Sequence, residues 1–304
     1  MSSVPGLSER VAFGRVEVLP GPNGGRYPFS HTLIVGGPSP VVIDPGMTFD
    51  PGRFDLDATQ IAVVVNSHCH EDHEGGNYHF PNAQVVAPVE DAPYIRSLDA
   101  YSKAMGFDPE RDAIWRRSMV ETYRYHESPV HRETRDGEVV EGSGIRMRFV
   151  HLPGHTPGHS GIWFEEDDIF FVADIDLTGF GPYYGEPFAE IDPYLDSIRR
   201  VRETNPRVLV TSHGKGIFEG DAIREALDRY ASKIHERDEG ILNLLAERPR
   251  TLEEIVDAHL IYRRYPEPQA AFRLAEQIMI EKHLARLERQ GRVREESGKW
   301  HVAP

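Results

Sequence analysis

Four side chains able to hold a metal ion fall within six consecutive positions: His68, His70, Asp72 and His73. Imidazole and carboxylate together suit zinc, and also iron or manganese. Alternate side chains of an extended segment share a face, so His68 and His70 can meet one ion while Asp72 and His73 turn toward a second. Cys69, between two such positions, is expected to point away and not to be a ligand. Gly75-Gly76 follows, permitting tight backbone passage and opening a helix. The chain carries 15 histidines, and the informative ones sit at strand ends.

Residues 61–65, IAVVV, deliver the cluster; a continuous apolar, β-branched run predicts a strand buried on both faces. Before it, residues 11–13 and 16–19 read as strands, and residues 31–35 and 41–44 as a hairpin around Gly36-Gly37-Pro38. Residues 90–130 turn helical, with Tyr94, Leu98, Tyr101 and Met105 at three- and four-residue spacing. Strands return at 146–151, 160–164, 168–173 and 208–212, and Asp192-Pro193 reads as cap and first position of a helix over 194–203. This order predicts a layered α/β body with mixed sheets.

After Gly220 the pattern changes. A long amphipathic helix is expected over 221–246, and Thr251 with Glu254 forms a capping box opening a second. A third helix spans 269–290, and residues 292–294 and 300–302 flank a turn as a hairpin. Three helices and a two-stranded ribbon make a winged-helix-like unit. The reading is therefore a catalytic domain over 1–220, with a helical insert at about 90–140, and a second domain over 221–304.

Net charge is −15, from 34 basic and 49 acidic residues. Residues 220–304 carry 15 basic and 16 acidic side chains, so almost all of the excess belongs to the first domain. Phosphate backbones generally require a basic face, and a near-neutral appended unit on an acidic body argues against a nucleic-acid partner without forbidding such a face. No apolar run approaches the ~18 residues of a membrane span. The amino terminus lacks the pattern of a secretory leader, and a single cysteine fits a reducing cytoplasm.

The spacing H-x-H-x-D-H resembles the signature of the metallo-β-lactamase superfamily, and the resemblance extends over residues 11–220. Its other stations appear in order: Asp44 before Pro45-Gly46, His155 in PGHTPGH, Asp174 ending a strand, and His213 in TSHG. The resemblance implies an αββα sandwich of two mixed sheets. It implies two divalent ions, zinc foremost with iron or manganese as alternatives: His68, His70 and His155 on the first, Asp72, His73 and His213 on the second, Asp174 bridging. Asp44 is then a residue that orients ligands, and His159 supports the His155 loop. Where the family often has glycine before the bridging aspartate, this chain has Ala173.

Two cations sharing a hydroxide make a strong nucleophile near neutral pH, while one polarises the attacked group. Asp72 is placed to hold that nucleophile and return a proton to the leaving group. Tyr183 or Tyr184 can donate to a developing oxyanion, or else simply pack. The leading expectation is hydrolysis of a small carbonyl substrate: a thioester, ester or lactone. The alternatives are an endoribonuclease or phosphodiesterase, and a mononuclear iron dioxygenase of persulfides. The insert, with Trp115, Met119, Tyr123 and Tyr125, is expected to cap the site or to form a homodimer surface. His79, His126 and His131 have no motif partner.

Overall fold

Strands β1 (Val11–Phe13), β2 (Val16–Leu19), β3 (Thr32–Val35), β4 (Val41–Ile43), β5 (Val63–Val65), β6 (Gln84–Pro88) and β7 (Arg132–Thr134) lie side by side in that order. They pair antiparallel as far as β4 and parallel from β4 to β7. A second sheet contains β8 (Val139–Gly142), β9 (Ile145–His151), β10 (Ser160–Phe164), β11 (Ile169–Phe171), β12 (Val208–Val210) and β13 (Ile217–Glu219). Its order is β13-β12-β11-β10-β9-β8, antiparallel except between β11 and β12. This is a computed structural model that describes residues 6–303. The first five residues, on which the leader reading partly rests, lie outside it.

Strand alternation separates the layers. Val41, Ile43 and Val65 join Ile169, Phe171, Val208 and Val210 in the apolar seam between the sheets. Their neighbours Val42 and Val64 face an outer cluster with Tyr101, Met119, Tyr123 and Tyr125 of the insert. On the far side, Phe170 and Leu209 face Tyr194, Ile198 and Tyr230 from the helices Ile191–Thr204 and Asp221–Glu247. The order is helix, sheet, sheet, helix, the sandwich that the resemblance implies.

Several boundaries differ from the sequence reading. The insert is helical over Ala92–Arg96, Leu98–Met105 and Pro109–Arg117, with a wide turn at Ser118–Thr122. Within the expected range of 90–140, Arg132–Thr134 and the start of β8 are strands. Both are short, and Arg132–Thr134 exposes two of its three residues, which hides them from a search for long apolar runs. Glu71–Glu74 forms a helical turn before Gly75-Gly76, closed by Gly75 N–H donating to Glu71 O, and after the pair only a single 3-10 turn, Asn77–His79, follows with Gly76 at its cap. The helix expected to start with Asp192 as cap begins at Ile191, with Glu190 at the cap.

In the C-terminal part, helices Asp221–Glu247, Leu252–Val256 and Gln269–Arg289 precede the hairpin β14 (Val293–Glu296) and β15 (Lys299–Val302). The Thr251–Glu254 capping box is formed. The first of these helices crosses the expected boundary energetically. Its early residues Ile223, Leu227 and Ile234 pack on the body, and its late residues Ile241, Leu242 and Leu245 pack on Ile280, Leu284 and Leu287. No helix among the described residues is long and apolar enough to cross a membrane.

Candidate metal centre

Parallel pairing brings the chemistry to one edge. β4 ends at Asp44, β5 runs into Asn66-Ser67-His68, β11 leads to Asp174 and β12 to His213. The loop after β9 adds His155. Backbone bonds sew the two sheets together here, from Ser160 N–H to Ser67 O (3.0 Å) and from His31 N–H to Ser212 O (2.7 Å). Asp91, just beyond β6, ties the two ligand loops: its carboxylate accepts from Cys69 N–H (3.1 Å), Thr156 Oγ1 (2.5 Å) and Gly158 N–H (2.6 Å).

Nitrogens of five imidazoles face inward around two carboxylates. His68 Nε2 and His155 Nε2 approach His70 Nδ1 at 3.1 and 3.0 Å. Asp174 divides between two groups. Its Oδ2 lies 3.2 Å from His155 Nε2 and 4.0 Å from His68 Nε2, and its Oδ1 lies 3.0 Å from His73 Nε2 and 3.4 Å from His213 Nε2. Asp72 Oδ2 is 3.3 Å from His213 Nε2. His68, His70, His155 and Asp174 thus form one ligand-sized group, and Asp72, His73 and His213 another.

The outer nitrogens are fixed by acceptors, which turns the other nitrogen of each ring inward. His73 Nδ1–H donates to Asp44 (2.9 Å), and His68 Nδ1 meets Ser67 Oγ (2.9 Å), whose own proton goes to Asp44 (2.5 Å). His70 Nε2–H donates to Glu186 (2.9 Å) and His155 Nδ1–H to Tyr183 O (3.0 Å). His213 Nδ1–H reaches Gly25 O and Phe29 O at 2.9 and 3.0 Å. Asp44 also groups with His68 and His73, but its oxygens already take Ser67 N–H, Ser67 Oγ–H and His73. It therefore orients rather than ligates.

Burial drives His68 well below the ordinary imidazole range, with His73 adding to the effect. Elsewhere carboxylates overcome burial. Glu186 lifts His70 to about 9, and Asp174 with Asp72 lifts His213 to about 10 and His73 well up. Asp174 is held well below the carboxylate range, despite its burial, by His73 and His213.

The residues fit a pair of divalent ions. Asp72 Oδ2, His73 Nε2 and Asp174 Oδ1 are all buried without a hydrogen-bond partner. One such orphan costs ~1–3 kcal/mol, and three at one point are what a cation satisfies.

Not every candidate converges. Tyr184 is fully buried, and its hydroxyl is engaged by His283 Nε2 (2.6 Å) and Arg237 (2.8 Å), away from the ligands. Tyr183 stays beside the site, its ring 5.9 Å from His155. His159 donates to Leu152 O and accepts from Asp174 N–H, which makes it a support, and burial lowers it to about 3. Asp176 accepts from Thr178 N–H and stands outside the ligand groups. His131 accepts from Val85 N–H. Cys69 packs in the apolar layer behind the site. Glu186 and Asp91 were not singled out by the sequence reading. Asp91 carries the strand-end signal, following β6 on the same edge as Asp44 and His68. Glu186 carries none.

The model of the metallo-beta-lactamase superfamily matches residues 28–213. A beta-lactamase-like protein 2 homolog of Caenorhabditis elegans is 26% identical over 217 residues, covering 71% of this chain and 61% of that protein. An atrochrysone carboxyl ACP thioesterase of Aspergillus fumigatus is 24% identical over 200 residues, 66% of this chain and 52% of its own. An N-acyl homoserine lactonase of Bacillus thuringiensis is 26% identical over 158 residues, 50% and 54%. The chain thus spans less than two thirds of the length of these relatives. A solved beta-lactamase domain protein from Burkholderia ambifaria superposes with a TM-score of 0.71 at 22% identity, covering 99% of this chain and 96% of its own.

Proposed function

This chain belongs to the metallo-β-lactamase superfamily, and from that premise we propose that it is a metal-dependent hydrolase of a small carbonyl compound, a thioester, ester or lactone. The observation that carries the reading is Asp174, whose two oxygens face two separate histidine groups at 3.0–3.4 Å. His68, His70 and His155 would hold one divalent ion, and Asp72, His73 and His213 the other, with Asp174 shared. Zinc is the first choice for this donor set. Such a pair, when bound, supplies an activated water and polarises a carbonyl.

The chain's own groups do the rest. Asp72 keeps Oδ2 free of hydrogen bonds at the floor of the site, where it can hold the proton of the attacking water and pass it to the leaving group. With the Tyr184 hydroxyl engaged elsewhere, Tyr183, whose ring lies beside His155, is the proposed donor to a developing oxyanion. A thioesterase and a lactonase among the relatives support a carbonyl substrate.

The C-terminal unit favours a small molecule over RNA. In the winged-helix-like reading its Gln269–Arg289 helix would face nucleic acid, yet Ala275, Ile278, Met279, Ile280, Leu284 and Leu287 are buried. Arg286 of that helix is spent on Asp192 and Asp238. With Cys69 free and buried, a reducing cytoplasm is the proposed compartment.

The test is metal analysis of the purified protein coupled to a panel of thioesters, lactones, phosphodiesters and glutathione persulfide. Two ions per chain with turnover of a thioester or lactone is the expected result. One iron per chain with persulfide consumption, or turnover of phosphodiesters alone, would overturn it.

A further inference from the structure

The acceptors that fix the outer nitrogens divide into two sets. His68, His73 and His213 are held by the body, through Ser67, Asp44 and the carbonyls of Gly25 and Phe29. His70 and His155 are held by one loop, residues 180–188, through the Glu186 carboxylate and the Tyr183 carbonyl. That loop forms neither helix nor strand. Its position must come from whatever it packs on.

Its contacts lead mainly to the C-terminal helices. Arg237 donates to Phe180 O (2.6 Å) and Pro182 O (2.7 Å). Tyr184 Oη joins Arg237 (2.8 Å) and His283 (2.6 Å), and Lys282 Nζ reaches Pro187 O (2.9 Å). Asp238 steadies the group from behind, accepting from His283 Nδ1 (2.7 Å) and Arg286. At Gly185 the approach is so close that a Cβ would lie 2.8 Å from that of Ala275. The insert adds a bond from Tyr101 Oη to Glu186 (3.3 Å) and the stacking of Phe188 on Tyr94 and Tyr101.

We infer that the two metal positions are supported independently. The first, at His68, His70 and His155, depends on the C-terminal helices through the 180–188 loop, with Glu186 as the positioning residue for His70. The second, at Asp72, His73 and His213, takes the outer partners of its imidazoles from the body. The inference rests on the two-ion reading above and deepens it. Losing the outer partner of a ligating imidazole typically weakens metal binding ~10–100-fold. Here that loss falls on one ion and spares the other.

The experiment uses the full chain and measures zinc affinity by chelator competition in two backgrounds. His213→Ala leaves the first position intact, and His155→Ala leaves the second. Glu186→Ala and Tyr184→Phe are introduced into each. Both are expected to weaken zinc ~10-fold or more in the His213→Ala background and less than ~2-fold in the other. Tyr184→Phe keeps the ring and removes only the hydroxyl, so a folding defect in Glu186→Ala leaves the comparison standing. Equal losses in both backgrounds, or none in the first, would overturn the inference. Parent backgrounds that hold no zinc would sink the two-ion reading and this inference with it, whatever the substrate panel returns.

Discussion

Asp174 meets two histidine groups because Ala173 turns the chain sharply before it. Ala173 has φ 44°, the left-handed region where glycine sits without strain. Tyr194 Oη (2.5 Å) and Tyr230 Oη (3.1 Å) then pin the Asp174 carbonyl. Asp174→Ala should therefore lower occupancy of both ions and abolish turnover together, read by metal content and activity on one preparation. Unchanged values in both would refute the assignment. A second residue-scale expectation concerns His31, which accepts from Gly21 N–H (3.0 Å) and lies 3.1 Å from Gly214 O. Burial lowers it to about 4, so it folds neutral. Between pH 6.5 and 4 the unfolded chain binds the proton that the folded chain refuses. Stability present above pH 6.5 is thus lost as pH falls, by about 3 kcal/mol in total. Denaturant melts across that range should show the slope, and His31→Gln should flatten it.

Among the elements, the PGHTPGH loop is held by contact as much as by bonds. Gly154 has φ 123°, and a Cβ there would stand 2.3 Å from the backbone nitrogen of Tyr194, at the start of the Ile191–Thr204 helix. Gly154→Ala should cost ~3 kcal/mol or more and displace His155, seen as an earlier urea midpoint and a lower zinc content. Thr251→Ala, which removes a capping box far from the site, should cost only ~1 kcal/mol and leave zinc content unchanged. The same elements explain what the sequence made legible. Long apolar runs such as residues 61–65 and the ligand residues after them announce themselves, because strand burial and metal chemistry each constrain residue type. Arg132–Thr134 and Ile217–Glu219 do not, since short strands with partly exposed side chains carry little pattern. Glu186 is hidden for another reason: its partner His70 lies 116 positions away, and one carboxylate in a Gly/Pro-rich loop looks like any other. The role of Tyr184 is hidden by the same logic, since nothing local reveals that His283 claims its hydroxyl.

For the whole molecule, charge and architecture point the same way. The −15 formal charge lies almost entirely on the body, and the arginines of the C-terminal helices are largely spent on internal partners such as Asp192, Asp238 and Asp257. The full chain should therefore show no retention of single-stranded RNA even at low salt, measured by filter binding or fluorescence anisotropy. Strong, salt-sensitive binding would contradict the small-molecule reading. The Gly185–Ala275 contact bears on how such a protein can change over generations. A larger side chain at 185 meets Ala275 and the Tyr183 hydroxyl, both at 2.8 Å, so neither region has room to drift alone. Diversification of the site loop must proceed in step with the distant helix, and a loop grafted from a cousin would arrive without its counterpart.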